Sequence, residues 1–322
     1  DARRVAWQLD IPFYVFDLEN EYKELVVKYM IAGYKKGITP NPDVMCNKEI
    51  KFGLFLKKAL ALGANYVATG HYVQLRNTNN FRSLLAAKDK NKDQSYFLWT
   101  LTQKQLKHCL FPIGDYEKSE VRKLAKKFGL LTAEKKDSQG ICFLGKVNIA
   151  DFLKNYLPAK SGAVLNVVGE KIGTHQGAQF YTIGQRHGFT TRFKIQDFPP
   201  KADPLSAERF KKDMKPHYVV EKNTKDNTLT VAEGENNPAL YTKEINLTNT
   251  NFVNPTPDIR HPTSVLVRVR YRQPLASATL TFADLTQINA EKVSAKSTLS
   301  PQSLRPVREV RVVFARAQKF IA

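Results

Sequence analysis

The sequence of 322 residues contains only three cysteines, three methionines and two tryptophans. Three cysteines without a framework spacing argue against a disulfide-stabilised secreted domain, so a reducing, cytoplasmic setting is expected. No CxxC pair or Cys/His cluster has the spacing of a zinc site, so no metal site is expected. No run of about 18 apolar residues occurs, which argues against a membrane-spanning helix.

Acidic residues are also scarce, because 30 Asp and Glu stand against 50 Lys and Arg, for a net charge of +20. The excess is not confined to a tail: residues 1–155 hold 26 basic and 16 acidic side chains, and residues 156–322 hold 24 and 14. A uniformly basic chain favours a polyanionic partner, most simply a nucleic acid. The alternative is a basic surface that is merely well solvated.

The stretch TPNPDVMCN, residues 39–47, is the most informative part of the chain. Pro40 and Pro42 each fix their own backbone and disfavour a helical conformation in the residue before them. A rigid extended loop is therefore expected here, with Asn47 as the cap of a new helix over residues 48–62.

This loop carries one carboxylate, Asp43, and one thiol, Cys46. A cysteine just before a helix start lies at the positive end of the helix dipole, which predicts a lowered thiol pKa. A second thiol, Cys142, lies in DSQGICFLG, and we expect the two loops to face each other across an active site. The alternative is that each cysteine is a small buried apolar residue, which is the better interpretation of Cys109, at the end of a predicted amphipathic helix.

Periodicity in residues 1–148 predicts alternating helices and short strands, which is typical of an α/β domain with a parallel sheet. Ligands of such sheets bind beyond the carboxyl ends of the strands, where Gly70 and His71 lie. The polar run at Lys92, Asp93 and Gln94 predicts either a solvated helix start or a contact surface. The predicted elements are a helix over 1–10, a buried strand over 11–17, a helix over 19–36, a strand over 66–69 and a helix over 119–128 capped by Ser119.

From about residue 149 the pattern changes to a short helix over 150–156 and then Gly-separated strands, which include GAVLNVVGEKIGTHQG and YTIGQRHG. Residues 191–216 form a Pro- and Lys-rich insertion, and residues 217–231 predict a hairpin. Strands over 265–271, 278–282 and 307–314 predict a small all-β barrel. One face of these strands carries Arg268 and Arg270, with the Tyr271 ring beside them, and arginine with an aromatic ring suits phosphate contact and base stacking.

Together these motifs resemble the bacterial tRNA-specific 2-thiouridylase family, MnmA, across nearly the whole chain. The resemblance implies an ATP-pyrophosphatase (PP-loop) domain at residues 1–148, a small central domain at 149–216 and a β-barrel tRNA-binding domain at 217–322. The matching stretches are TPNPDVMCNKEIKFG, ATGHY, KDQSYFLWTL, KKDSQGICFLG, FYTIGQRHG, NPALY and RYRQP.

The resemblance implies an enzyme that replaces the C2 oxygen of the wobble uridine of tRNA by sulfur. ATP, with Mg²⁺, activates that oxygen by adenylation, and a persulfide supplies the sulfur. The expected partners are tRNA and a sulfur-donor or relay protein. A monomer is expected, without a membrane and without a tightly bound cofactor.

The resemblance also assigns roles to residues. Cys142 corresponds to the persulfide carrier, Cys46 to the second catalytic cysteine and Asp43 to the acid/base group, with a transient Cys46–Cys142 disulfide. Whether Cys46 frees the sulfur first or resolves the carrier afterwards stays open. Gly70 corresponds to an ATP contact. Contacts to the target base or the tRNA correspond to Asn41, Pro42, Asp43, His71, Lys92, Asp93, Gln94, Arg270 and Tyr271.

The chain departs from the family at both ends, since the Ser-Gly-Gly-x-Asp-Ser pyrophosphate loop and the final strand are absent from the sequence. We therefore expect a fragment, with ATP binding by this polypeptide in question. One alternative is another enzyme of the PP-loop superfamily, against which the cysteine contexts and the β-rich second half argue. The other alternative is an inactive tRNA-binding remnant of a thiolase.

Overall fold

The computed structural model describes residues 1–78, 81–136, 140, 142, 145, 148–191, 215–254, 261–282 and 309–319. In that part of the chain no helix is long and apolar enough to cross a membrane. The helices are α1 (Ala2–Gln8), α2 (Glu19–Tyr22), α3 (Lys28–Lys35), α4 (Pro42–Met45), α5 (Leu56–Ala61), α6 (Gln103–Leu106), α7 (Lys118–Lys127) and α8 (Ile149–Lys154). The strands are β1 (Val67–Ala68), β2 (Val73–Thr78), β3 (Phe81–Ala86), β4 (Cys109–Leu110), β5 (Gly162–Leu165), β6 (Lys171–His175), β7 (Thr190–Thr191), β8 (His217–Asn223), β9 (Thr228–Glu233), β10 (Tyr241–Thr248), β11 (Thr263–Val267), β12 (Ala276–Phe282) and β13 (Glu309–Lys319).

Two long helices in the first part of the chain contain π-helical turns. The segment Lys23–Val27 joins α2 to α3, and the segment Cys46–Phe55 joins α4 to α5. The first helix ends before Gly37, whose φ of 75° suits glycine, and this confirms the predicted helix over 19–36. The two helices pack together through Tyr22, Val26, Val27, Cys46 and Ile50.

The strand predicted over residues 11–17 is wrong. The chain has no regular structure there, and Tyr14 and Val15 are 77% and 71% exposed. A run of β-branched and aromatic residues forms a strand only where a partner strand satisfies its backbone, and no described strand pairs with this segment.

The sheet of the first part confirms the predicted α/β character. Strand β1 pairs in parallel with β4, with Val67 opposite Cys109. Cys109 is fully buried in a cluster with Phe52, Val73 and Leu106, so its interpretation as a core residue is confirmed, although it lies on a strand and not on a helix. Helix α7 begins after Glu117, which caps it together with Glu120, so the predicted cap at position 119 is wrong.

The central part of the chain is a five-stranded sheet in the order β7-β6-β5-β9-β8. The predicted hairpin is confirmed by β8 and β9, with Asn227 at φ 53° in the turn. Strand β9 pairs in parallel with β5. One sheet therefore contains strands from both sides of residue 217, where the sequence places a domain boundary. The stretch YTIGQRHG forms turns after a 3₁₀ helix at Ala178–Phe180. The prediction that this stretch is a strand is therefore wrong.

The last sheet has four antiparallel strands in the order β10-β13-β12-β11. Strand β11 ends at Val267, so Arg268, Arg270 and Tyr271 follow the strand and do not share one of its faces, which corrects the prediction. Closure of this sheet into a barrel stays a prediction. Of the insertion at 191–216, residues 192–214 lie outside the described residues.

Candidate active site

The helix that carries Cys46 begins earlier than the sequence predicts. Asn41 is the cap: its side-chain oxygen accepts the backbone N–H groups of Asp43 and Val44 at 3.1 and 3.2 Å, and Pro42 occupies the first helical position. The prediction of a cap at Asn47 is wrong, because that residue is buried inside the helix. Asp43 and Cys46 therefore project from a rigid helix and not from a loop.

Asp43 holds the segment of the second cysteine. Its Oδ1 accepts the backbone N–H of Cys142 at 3.0 Å, and the hydroxyl of Tyr22 donates to the Cys142 carbonyl at 2.6 Å. Both polar groups of the Cys142 backbone are thus bound to side chains of the two helices. The predicted meeting of the two cysteine segments is present in the structure.

The two thiols form an asymmetric pair. Cys46 is fully buried and Cys142 is half-buried. The Cys142 side chain and burial raise the pKa of Cys46 far above its usual range. The Cys46 side chain and the nearby Lys51 ammonium lower the pKa of Cys142 to about 6 against the opposing effect of burial. Cys142 is therefore the thiol of the pair that ionises more readily. The lowered pKa predicted for Cys46 from a helix start is wrong, because the helix begins at Asn41 and Cys46 is fully buried.

This arrangement supports a defined chemistry. A thiolate, not a thiol, is the nucleophile in thiol–disulfide exchange, so Cys142 is poised to take a sulfur atom at neutral pH. Cys46 lies within reach to attack the resulting sulfur–sulfur bond once it loses its proton. In the described residues the cysteines are all free.

Gly70 and His71 follow strand β1, as predicted. Gly70 is exposed, and a Cβ built on it would contact nothing within 4 Å, so a ligand has room to approach the backbone. The His71 ring is 7% exposed between Phe52 and Phe111, and Thr69 forms a 2.8 Å hydrogen bond with its Nδ1. Burial lowers the pKa of His71 to about 4, so the imidazole is neutral at pH 7.

Asp93 is a structural carboxylate. It is 4% exposed and accepts the backbone N–H groups of Ala87 and Ser95 and the Ser95 hydroxyl. Arg268 pairs with its Oδ2 at 3.4 Å. This ion pair joins the turn after β11 to the polar run of the first part of the chain. The expectation that this run is a helix start in solvent did not include such a buried contact.

Gln94 forms two hydrogen bonds with the backbone of Tyr72, the residue after His71. Its backbone N–H donates to the Tyr72 carbonyl at 2.9 Å, and its side-chain oxygen accepts the Tyr72 N–H at 3.0 Å. Lys92 precedes this pair and is partly exposed. The polar run thus lies directly beside the carboxyl end of β1.

Arg270 and Tyr271 lie against the same region. The Tyr271 ring packs on Phe97 with centroids 4.6 Å apart and on Tyr96 at 6.0 Å. The Arg270 guanidinium donates to the Ile183 carbonyl at 2.8 Å, and burial lowers its pKa. Tyr271 therefore packs on residues that directly follow the polar run at Lys92, Asp93 and Gln94.

Sequence reasoning missed three residues of the site. The Tyr22 hydroxyl donates to the Cys142 carbonyl, and the Lys51 ammonium lowers the pKa of the Cys142 thiol. Lys222 donates to the Tyr181 carbonyl at 2.6 Å and reaches the Thr39 hydroxyl at 3.4 Å, and burial lowers its pKa to about 8. No local motif marks these side chains, because each acts through a contact made by the fold.

Two family models and several known proteins match the sequence of this chain. Residues 1–146 match the family model of the tRNA methyl transferase HUP domain, and residues 150–233 match that of the tRNA methyl transferase PRC-barrel domain. The chain is 46% identical over 274 residues to the tRNA-specific 2-thiouridylase MnmA 1 of Geobacillus kaustophilus, which covers 85% of this chain and 69% of that protein. The MnmA proteins of Staphylococcus epidermidis and Staphylococcus aureus are each 46% identical over 275 residues, with the same coverage.

Proposed function

The chain belongs to the MnmA family of tRNA-specific 2-thiouridylases, and we propose that it transfers sulfur to C2 of the wobble uridine of tRNA with Cys142 as the carrier. It is a sulfurtransferase that modifies tRNA. The inactive remnant is not supported, because the similar proteins are named as thiouridylases over 85% of this chain. The observation that carries the assignment of residues is that Cys142 packs against the cluster that contains Cys46 while its backbone N–H binds Asp43 at 3.0 Å.

The loading step is a thiol–disulfide exchange. The Cys142 thiolate attacks the outer sulfur of a persulfide on a donor protein. A new sulfur–sulfur bond forms on Cys142 as the donor's bond breaks, and the donor leaves as a thiolate. No electrons are gained or lost overall, so loading needs no separate oxidant or reductant.

Delivery has two possible orders, and both end in a Cys46–Cys142 disulfide. In one, Cys46 attacks the Cys142 sulfur and releases sulfide, which attacks C2. In the other, the outer sulfur attacks C2 directly, and Cys46 then attacks Cys142 to free the thiolated base. Either way the C2 oxygen leaves, and a two-electron reduction of the disulfide by an external thiol restores the enzyme.

Asp43 is proposed as the acid/base group beside the base, with Asn41 and Pro42 forming the wall that contacts it. The Asp43 carboxylate already touches the Cys142 segment through one oxygen, which leaves the other oxygen for a proton. A uridine must leave its stack to reach such a site, and a rigid helix start suits recognition of a single exposed base.

The PP-loop family implies the use of ATP. The open space beside the exposed Gly70 fits a nucleotide that approaches the backbone at the carboxyl end of β1. When bound, ATP supplies the adenylyl group that makes the C2 oxygen a good leaving group, with Mg²⁺ as its counterion.

For tRNA docking we propose the partly exposed surface of Lys92, Gln94, Arg270 and Tyr271. Tyr271 packs on Phe97, three residues after Gln94, which supports a shared contact face, and the net charge of +20 supports attraction to a polyanion. His71 and Asp93, which are buried, would support this face from beneath it. The same proposal includes a sulfur-donor protein as partner and a monomeric state. It also includes a cytoplasmic location and the division into three domains.

The test is thiolation of a tRNA transcript with a wobble uridine, with ATP, Mg²⁺, a cysteine desulfurase and cysteine present. Thiolated RNA is detected by its retardation in a mercury-containing gel, and a transcript with a wobble cytidine is the negative control. Cys142→Ser and Cys46→Ser are expected to abolish the product, and Cys109→Ser, in the core, to retain it. Thiolation at the wild-type rate by Cys142→Ser would overturn the carrier assignment.

A further inference from the structure

The turn of residues 181–184 is bound by side chains from distant parts of the chain. The Thr182 hydroxyl lies 3.1 Å from the hydroxyl of Thr39, in the stretch that leads into the helix of Cys46. The Arg270 guanidinium, which follows strand β11, donates to the Ile183 carbonyl at 2.8 Å. The start of the catalytic helix and the segment after β11 therefore both contact this turn.

Lys222, on strand β8, contacts the same turn from the central sheet. Its Nζ donates to the Tyr181 carbonyl at 2.6 Å and lies 3.4 Å from the Thr39 hydroxyl oxygen. An ammonium has three N–H donors, so at least one is left for a further acceptor. The side chains of Thr39, Thr182 and Lys222 thus form one cluster of hydroxyl and ammonium groups, which we call the Thr39–Lys222 cluster.

The cluster is positively charged and open to a ligand. Thr39 is exposed, and Thr182 and Lys222 are partly exposed. Burial alone lowers the pKa of Lys222 to about 8, and burial lowers that of Arg270, which binds the same turn. No carboxylate pairs with either cation in the part of the chain that the structure describes. A partly buried cation without a counterion is unfavourable, and a bound anion would supply the missing charge.

The position of the cluster indicates which anion suits it. Thr39 precedes by two residues Asn41, the first of the residues proposed to contact the target base. A nucleotide whose base has left the stack carries a backbone phosphate on each side. Lysine and hydroxyl side chains are common donors to such phosphates. The ATP site proposed beside Gly70 belongs to the end of another strand, β1.

We propose that Thr39, Thr182 and Lys222 bind a backbone phosphate next to the wobble uridine of tRNA. This inference rests on the proposed function and adds a strand contact to it. The bound phosphate holds the RNA strand beside the helix start while the base enters the site. The same contact neutralises the Lys222 ammonium.

The experiment measures binding of a labelled anticodon stem-loop RNA to the full chain by fluorescence anisotropy. The two phosphates that flank the wobble uridine are replaced, one at a time, by a neutral methylphosphonate. Lys222→Met is expected to weaken binding of the unmodified RNA about tenfold, as for the loss of a hydrogen bond to a charged group. The slope of log affinity against log salt should fall in magnitude by about 0.7, the value for one phosphate of a single strand.

The two changes are combined to show that they remove one contact. In the wild type, one of the two methylphosphonates should weaken binding about tenfold, whereas in Lys222→Met the same replacement should cost nothing further. Lys225→Met, an exposed lysine at the turn of the same hairpin, is the matched control and should keep the full response to the methylphosphonate. Lys222→Arg keeps the charge and should retain most of the affinity.

Thr39→Val removes one hydroxyl at nearly constant volume and provides a second variant, with an unfolding curve for each protein. Additive losses in Lys222→Met and Thr39→Val with both methylphosphonates, or wild-type affinity of both folded variants, would overturn the inference. Thiolation of the tRNA transcript by the wild type then still supports the proposed function. Non-additive losses without thiolation would count against the proposed function alone.

Discussion

At the scale of single residues, Asp43 joins the two segments of the site. Its carboxylate lies on the helix of Cys46 and binds the backbone N–H of Cys142 at 3.0 Å. One residue thus combines a structural contact with a proposed proton transfer, and substitutions of different chemistry can separate the two.

Asp43→Asn keeps an oxygen that can accept the Cys142 N–H but removes the acid/base function. Sulfur loading of Cys142 is expected to survive, while thiolation of tRNA falls by about 10²- to 10⁴-fold, the usual contribution of a general acid or base. Asp43→Ala removes the contact as well, so it should also reduce loading. The two steps are measured separately, by peptide mass and by gel. Thiolation by Asp43→Asn at the wild-type rate would exclude the acid/base role.

Part of the site could be predicted at this scale and part could not. The two cysteines and Asp43 stand in distinctive motifs, and their meeting in space agrees with the expectation from sequence. The lowered pKa predicted for Cys46 was wrong, because the helix starts at Asn41, earlier than the sequence indicates, and Cys46 is fully buried. Tyr22 and Lys51 have no local signature, since their importance comes from what the fold places opposite them.

At the scale of elements, the helix start at Asn41 fixes the position of the catalytic side chains. Its side chain satisfies two of the N–H groups that a helix start leaves unpaired. Because Pro42 cannot donate, the remaining bonds at this end depend on Asn41.

Asn41→Ala removes this cap and is expected to lower the free energy of unfolding by about 1 kcal/mol. Asn41→Asp can accept the same two hydrogen bonds and should retain most of the stability. Urea unfolding followed by circular dichroism measures both. A stable Asn41→Asp protein that is defective in thiolation would show that the Asn41 side chain also contacts the base. Equal free energies of unfolding for Asn41→Ala and the wild type would refute the capping role.

The elements that were predicted correctly are those whose pattern is local, such as the helix over 19–36 and the hairpin of β8 and β9. Residues 11–17 failed because strand-like composition does not by itself supply a partner strand. The π-helical stretch Cys46–Phe55 could not be predicted, because its apolar spacing is also compatible with an α-helix.

At the scale of the whole molecule, a nearly buried ion pair joins distant parts of the chain. Arg268 follows the last sheet's strand β11, and Asp93 lies in the first part of the chain. With Tyr271 packed on Phe97, this pair holds together the residues proposed to face tRNA. The sequence shows these residues as separate motifs 175 positions apart, and only the fold combines them.

The net charge of +20 leads to a prediction for tRNA binding. Each phosphate contact releases a counterion, so the logarithm of the binding constant should fall linearly with the logarithm of the salt concentration. We expect a loss of affinity of about tenfold or more between about 50 and 200 mM salt, measured by fluorescence anisotropy with labelled tRNA. Arg270→Gln should reduce the slope as well as the affinity. A flat salt response would contradict docking through the basic surface.

The most direct test of the account is to map persulfide sulfur on the full chain. The protein is incubated with a cysteine desulfurase and cysteine, alkylated and digested, and the peptides of Cys46, Cys109 and Cys142 are weighed. The account predicts one added sulfur on the Cys142 peptide, lost on reduction, and none on the core residue Cys109. Added sulfur on Cys46 alone, or on no peptide, would contradict the assignment of Cys142 as the carrier.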